Sequence, residues 1–315
     1  MTTAAARAGG PVGVLVMAHG VARNVADIPR YYAHIRGGRP KNPAVEQELV
    51  ERYEAIGGHS PLIEVTAAVA EGLAGVLARR HGPDRYRVAF GFRHVAPYIP
   101  EAVARLQAEG AVRYVGLVQA PHFSPMTVGA YERAAAEGPL PGHTILSWHV
   151  EPRFVALLAE RVREAARILP VPLAEAAVAF TAHSLPERIR AAGDPYPRQL
   201  AETAAAVAAQ LGLGAYQVGW QSAGRTPEPW MGPDVLDLLK EWAAAGRPAG
   251  LIAPVGFVSD HLEVLYDLDV EARALAAALG LPFARTRSLN DDPEYLEVLA
   301  DVVDRDEAGG GSLHD

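Results

Sequence analysis

Four histidines stand just beyond apolar runs: His19 after Val12–Ala18, His94 after Arg87–Phe92, His122 after Tyr114–Ala120 and His183 after Ala177–Phe180. A neutral imidazole in such a place can accept a proton or ligate a cation near pH 7. Further along, Glu263, Asp267 and Glu271 recur at every fourth residue, so a helix would line the three carboxylates along one face. Like charges at that spacing repel by roughly 0.2–0.5 kcal/mol per pair, and a nearby cation reverses the sign. Together with His183 they suggest a hard divalent cation handed along carboxylates to an imidazole. A plainer reading stands beside this one. The acidic line would be a solvated face, with Asp260 as N-cap and Glu263 as its capping-box partner, and His183 a satisfied structural histidine.

Other chemistries lack their residues. The chain has no cysteine, which excludes disulfides, thiolate zinc sites and cysteine-ligated iron–sulfur clusters. There is no HExxH, so a metal here reads as a passing substrate rather than a structural ion. P-loop, strand-following GxGxxG and GxSxG motifs are missing too, leaving nucleotide use and acyl transfer without support. A net charge of −8 argues against a nucleic-acid partner, yet leaves room for an anionic small molecule held by local arginines. The opening MTTAAARAGG lacks the apolar core of a signal peptide, and no run approaches the ~20 residues of a membrane span. A soluble, cytoplasmic protein is expected.

The elements that must position these residues alternate in type. Ala177–Phe180 predicts a buried parallel strand, and Ser184, Pro186 and Glu187 behind it predict a helix start of the capping-box kind. Strands are also expected at Val12–Ala18, Arg87–Phe92, Tyr114–Ala120, Thr144–Trp148, Tyr216–Gln221, Gly250–Val255 and Pro282–Thr286. Between them lie helices at Pro43–Tyr53, Leu62–Arg80, Pro100–Ala108, Pro152–Leu169, Arg198–Leu211, Asp234–Ala245, His261–Leu279 and Pro293–Val303. Gly37-Gly38 and Pro40 mark a loop. Strands alternating with helices predict parallel sheets covered on both faces, whose carboxyl edge binds ligands. The 315 residues suit two cores better than one. The halves also echo each other, with strands ending MAHG and TAHS, then APHF and APVGF. We therefore expect two Rossmann-like lobes, each a four-stranded parallel sheet, with a cleft between them. The first spans residues 1–150 and the second 151–289, a helix at about 290–305 packs back on the first, and 304–315 form a disordered tail.

Seven segments then resemble a known family: YYAHIRGGRP, RYEAIGGHSPL, APHFSP, TAHSLPERI, GDPYPRQL, VGWQSAGRTPEPWMGPDV and PVGFVSDHLEVLYDLDVE. They resemble ferrochelatase, most closely its water-soluble bacterial branch that uses coproporphyrin III, in order from Val14 to Asp304. The resemblance implies insertion of Fe2+, as substrate, into a porphyrin with loss of two pyrrole protons, and no other required cofactor. It implies that His183 and Glu263 are the central pair, bases and weak metal ligands at once, with His94 close by. Asp267 and Glu271 match outer acidic positions that hold a second divalent ion such as Mg2+. Met126, Pro229 and Trp230 would wall the ring, and Arg36, Arg52, Tyr53, Ser60 and Tyr131 would hold propionates. Arg52 has a plain alternative as a surface helix charge, and Ser60 as the N-cap of the Leu62 helix.

Two positions depart from the family pattern. His19 stands where this branch usually has a tyrosine facing the porphyrin metal, and Gly37 where a close relative has a second arginine. An imidazole at position 19 would ligate product iron more strongly than a phenol and slow its release, or simply fill the space. The same reaction on protoporphyrin IX, and a non-catalytic haem carrier with His19 as axial ligand, are the competing readings. A monomer is expected, with no membrane span and transient contact with neighbouring haem-pathway enzymes.

Overall fold

The computed structural model describes residues 9–37 and 42–309. Residues 1–8, the Gly38 and Pro40 of the expected loop, and 310–315 of the expected tail lie outside the described residues. The first lobe runs β1 (Val12–Ala18), α1 (Ile28–Ile35), α2 (Pro43–Ala55), α3 (Leu62–His81), β2 (Tyr86–Phe92), α4 (Ile99–Ala108), β3 (Arg113–Val118), α5 (Val128–Ala136) and β4 (Gly142–Ile145). After α6 (Pro152–Ala166), the second runs β5 (Ala177–His183), α7 (Arg188–Ala191), α8 (Tyr196–Leu211), β6 (Gln217–Gln221), α9 (Val235–Ala244) and β7 (Gly250–Ala253). It continues through α10 (Leu262–Val264), a π-helical segment (Leu265–Ala272), α11 (Arg273–Ala278), β8 (Phe283–Arg285) and α12 (Pro293–Glu307).

Each lobe is a four-stranded parallel sheet, ordered β2-β1-β3-β4 in the first and β6-β5-β7-β8 in the second. The echo between the halves is thus a repeat of topology. β1 and β5 are central strands, buried on both faces along nearly their whole length, as their unbroken apolar sequences demand. The alternation of side chains sorts the core. Val12, Val14 and Val16 of β1 and Val178, Phe180 and Ala182 of β5 share one cluster with residues of α3, α6, α8 and α12. Leu15 and Met17 face a second cluster with α4 and α5, while Ala177 and Ala179 face a third with α9 and the π segment. Instead of two separate cores, the inner faces of both sheets therefore close on a single one. That packing makes the facing carboxyl edges of the two sheets fixed neighbours.

Several local expectations are corrected. Ser184 does not cap a helix: β5 continues to His183, and Ser184 Oγ instead donates to the Met231 carbonyl. Only the single turn α7 follows, and Glu187, at its N-cap position, makes no side-chain cap. Helix α5 lies in a stretch for which no helix is expected, since its alanines and glycine carry little periodicity. The tail expected from residue 304 is helical to Glu307, which is pinned by Arg85 at 3.0 Å and Arg113 at 2.5 Å. α12 lies on α3, where Gly72 makes room for Leu296. Among the described residues no helix is long and apolar enough to cross a membrane.

Candidate active site

Register brings the strand ends together. Ala18 pairs with Phe92, so His19 and His94 follow side by side, and the His94 amide donates to the His19 carbonyl at 3.0 Å. In the second lobe the Gly256 amide donates to Thr181 O at 3.0 Å, laying the segment after β7 against the end of β5. A Cβ at Gly256 would come within 2.4 Å of Ala182, so only glycine permits this approach. The chain then delivers His261 and Glu263 beside His183.

Glu263 sits between two imidazoles. Its Oε2 is 3.7 Å from His183 Nε2 and 3.4 Å from His261 Nε2. Backbone carbonyls, which only accept, set both tautomers: His183 Nδ1 lies 2.5 Å from Ser184 O, and His261 Nδ1 lies 3.0 Å from Ser259 O. Both Nδ1 atoms therefore carry hydrogen, and both Nε2 atoms face the carboxylate. The Tyr196 hydroxyl donates to the His183 carbonyl at 3.0 Å and fixes that strand end from α8. Burial disfavours charge on either histidine, but the Glu263 carboxylate outweighs it and holds both above their ordinary value. Burial likewise penalises Glu263, and the two imidazoles more than compensate, keeping it well below the usual carboxylate range. The three groups titrate as a set.

Behind Glu263 the helix widens. Asp267 is the first acidic residue of the π segment, its side chain 7% exposed against 39% for Glu263, so the middle carboxylate of the line is withdrawn from solvent. Wider turns still stack residues four apart, and π segments of this kind recur at functional sites. Burial raises the Asp267 carboxyl to about 6, although a hydrogen bond from Ser222 Oγ opposes it. The charges of Glu263 and Glu271 push the same way as burial, and Arg52, 3.6 Å from Asp267, opposes them. Ser222 holds φ at 58°, a left-handed conformation that a serine adopts at a cost. The expected capping by Asp260 does not occur, because its carboxylate is taken by Ser288, Asn290 and Arg285. His261 stands at the N-cap position instead.

A cavity of about 260 Å³ opens between the lobes, lined by His19, Tyr131, His183, Tyr196, Phe257, His261 and Glu263 among others. Its lining is mostly apolar around a few convergent polar groups, the usual character of a small-molecule site. Burial lowers His19 to about 4, so this ring faces the cavity neutral. Among the described residues no group of three or more His, Asp and Glu side chains is gathered to hold an ion.

A ferrochelatase family profile matches residues 11–307. Over 299 residues the chain is 42% identical to the coproporphyrin III ferrochelatase of Bacillus subtilis, covering 93% of this chain and 96% of that protein. The chain belongs to the ferrochelatase family. It is also 43% identical over 310 residues to the coproporphyrin III ferrochelatase of Geobacillus kaustophilus, covering 96% of this chain and 98% of that one. A ferrochelatase of Herpetosiphon aurantiacus is 41% identical over 297 residues, covering 92% and 97%. Among solved structures, SirB from Bacillus subtilis with Fe3+ shares the fold at a TM-score of 0.61 and 12% identity, covering 96% of this chain and 99% of that one. CbiX, the terminal enzyme for biosynthesis of siroheme in denitrifying bacteria, does so at 0.53 and 17%, covering 93% and 98%.

Of the residues singled out from the sequence and the ferrochelatase resemblance, the cavity gathers His183, Glu263, His19, His122 and Tyr131. His94 lies behind His19, ring centroids 4.5 Å apart, and its Nδ1 meets His34 Nδ1 at 3.2 Å. Burial, with the His19 ring and Arg93 nearby, lowers His94 to about 3. Arg52 turns from the cavity toward Glu48, Asp267 and the Tyr266 ring. Arg36 reaches Tyr32 at 3.4 Å. Tyr53 is fully buried with its hydroxyl donated to Ala22 O at 2.6 Å. Ser60 does not cap the Leu62 helix, whose N-cap residue is Pro61; its buried hydroxyl has no partner among the described residues. Met126 and Pro229 are exposed and Trp230 is half-buried, all three outside the lining, with Trp230 Nε1 donating to Thr226. Gly37 holds φ at 55° with open space around it. His122 is buried at the cavity wall, with its Nε2 2.9 Å from Thr203 Oγ1.

His261 and Tyr196 were missed. His261 lies two residues before Glu263, which on a helix points elsewhere. Its backbone is extended, φ −159° and ψ 177°, and that returns the ring to Glu263. The DHLE spacing was the available signal.

Proposed function

We propose that this chain inserts Fe2+ into coproporphyrin III to give coprohaem, with His183 and Glu263 handling both the metal and the pyrrole protons. The observation that carries this reading is the Glu263 carboxylate set between two Nε2 atoms in the lining of an inter-lobe cleft. Iron must arrive with few protein ligands, so that porphyrin nitrogens can replace them. One imidazole and one carboxylate bind a divalent ion weakly enough for that transfer. As the metal enters, two N–H bonds break, their electron pairs go to iron, and two protons leave. His183 Nε2 and the Glu263 carboxylate accept them and pass them toward His261. His94, screened by His19, acts from the ring's other side.

Asp267 and Glu271 serve as the approach path and hold a second divalent ion of the Mg2+ kind. The burial and like charges that raise Asp267 support this, since a cation removes both penalties. Ser60, with its unpartnered hydroxyl, and Tyr131, on the cavity wall, take propionates together with Arg36, Arg52 and Tyr53. Arg52 and Tyr53 must exchange their present partners to do so. Met126 and Trp230 close on the macrocycle where it extends from the cavity. The enzyme works as a cytoplasmic monomer that meets neighbouring haem-pathway enzymes transiently. The test follows loss of free-base porphyrin fluorescence with Fe2+ under anaerobic conditions. Coproporphyrin III should turn over faster than protoporphyrin IX, and His183→Ala should abolish turnover. Preference for protoporphyrin IX would reassign the substrate. Absence of any turnover, with haem tightly bound, would leave a carrier.

A further inference from the structure

The last strand sends one guanidinium back toward the stretch that carries Glu263. Arg285, at the end of β8 and only 12% exposed, grips Asp269 with a fork, Nε to Oδ1 at 2.8 Å and Nη2 to Oδ2 at 2.5 Å. The same Nη2 reaches Asp260 Oδ1 at 3.4 Å. Asp269 lies on the π segment two residues past Asp267, and Asp260 immediately precedes His261. One side chain therefore ties both ends of the stretch that contains His261 and Glu263.

The loop after β8 holds the first of those ends a second time. Ser288 Oγ donates to Asp260 Oδ1 at 2.7 Å, and Asn290 Nδ2 donates to Oδ2 at 2.9 Å. In return Asn290 Oδ1 accepts the Asp260 amide at 2.8 Å. The Val258 carbonyl accepts from the amides of Leu289 at 3.0 Å and Asn290 at 2.9 Å. Asn290 adopts φ 50°, a left-handed conformation tolerated here because its amide group is paired on both sides. None of Arg285, Asp269, Ser288 and Asn290 lines the cavity, so none can touch a substrate there. Their geometry acts on Glu263, whose Oε2 must stay close to His183 Nε2 for a metal to bridge them.

We propose that Arg285 and Asn290 are positioning residues for metal capture, fixing the Asp260–Asp269 stretch so that Glu263 is held at ligating reach of His183. This rests on the reading of His183 and Glu263 as the iron-handling pair. Groups that orient metal ligands from behind typically change metal affinity about 10-fold or more when removed. The porphyrin, which meets other residues, should be nearly indifferent.

Two gentle variants test it. Arg285→Lys keeps the charge but loses the fork, and Asn290→Gly keeps the left-handed backbone while removing the amide pair. Steady-state insertion would be measured with Fe2+ and coproporphyrin III varied separately, beside calorimetric titration of the porphyrin-free proteins with Zn2+. His183→Ala would serve as the control that identifies the site being read, and thermal midpoints would report folding. The expected result is a rise of about 10-fold in KM for Fe2+ and in Kd for Zn2+, with KM for porphyrin within about twofold. Unchanged metal constants in folded Arg285→Lys and Asn290→Gly would overturn the proposal. So would parallel losses for both substrates that track the thermal midpoint, which would mark a staple of the fold. If wild type inserts no iron, the proposed function fails. The Zn2+ titrations still decide the positioning role, because they need no turnover.

Discussion

A proton on His183 and a metal on His183 compete for the same Nε2 lone pair. Glu263 holds the protonated ring above its ordinary 6.5 despite burial, so metal capture should weaken as pH falls through that raised value. In Glu263→Gln the main influence raising the ring is gone, and burial, which lowers an imidazole, is opposed only by the Ser184 carbonyl and the Asp267 charge. The inflection of the insertion rate against pH should therefore move to a lower pH while the maximal rate drops by about 100-fold or more. An inflection that stays put would show that another group is being titrated. His19 calls for a different measurement. Its neutral ring faces the cavity, so it can hold product iron; His19→Phe should release ferrous coprohaem several-fold faster to a haem-scavenging apoprotein. Equal release rates would reduce His19 to a space filler. Both residues are visible in the sequence as types at particular spacings, whereas the partnership of Glu263 with His261 is not.

At the scale of elements, the site depends on two departures from regular structure. The π segment turns Asp267 inward to Ser222, whose own strained backbone follows β6. Ser222→Gly keeps the left-handed conformation and deletes the donor. Because the lost hydrogen bond had opposed burial, Asp267 should titrate still higher than about 6, readable as a carboxyl resonance moved by Ser222→Gly alone. The second departure is the close crossing of the post-β7 segment over β5. In Gly256→Ala the new Cβ meets Ala182 at backbone level, where nothing flexible can yield. Overpacking of this sort costs about 1–3 kcal/mol, and here it should also push His261 and Glu263 from His183. We expect a lowered denaturation midpoint and a disproportionate loss of iron insertion. A variant with wild-type kinetics would show that the crossing does not set the site. The helical period of the acidic line was legible, since residues four apart stack in either helix type. Its width was not, because the extra residue per turn is enforced by packing on α9 and β7.

Across the whole molecule, histidines also stitch one lobe to the other. His122 in the exit of β3 meets Thr203 of α8 at 2.9 Å, and His149 Nε2 meets Glu202 of the same helix at 2.8 Å. Burial, reinforced by His149, holds His122 well below its ordinary value, so the folded chain keeps it neutral. The unfolded chain takes up a proton below about 6.5, and the contribution of His122 to stability is intact above that pH and lost as pH falls below it. Each pH unit over which this one proton differs is worth about 1.4 kcal/mol. Urea midpoints between pH 6.5 and 5 should therefore fall less steeply in His122→Asn than in wild type. Parallel slopes would mean that His122 is not the buried base assumed. α12 closes the molecule differently, with Arg80 paired to Asp301 at 2.8 Å and Asp304 at 2.9 Å on a partly exposed surface. Such pairs contribute little each, and the seat of Leu296 over Gly72 fixes the helix more firmly.

The sequence by itself determined the local alternation of strand and helix, the parallel sheets it implies, and the histidines and carboxylates at their ends. These follow from side-chain period and from residue type, which need no partner to be read. The family segments carried the remainder of the functional reading. Tertiary structure alone decided that the two lobes share one core, that Ser184 leaves a strand rather than capping a helix, and that His261 turns back on Glu263. It also decided that Tyr53 and Arg52 are engaged elsewhere, and that Arg285 reaches Asp269 across 16 residues. Such contacts join residues distant in sequence or reverse a local preference. Only the balance of burial against hydrogen bonding in the folded chain selects them.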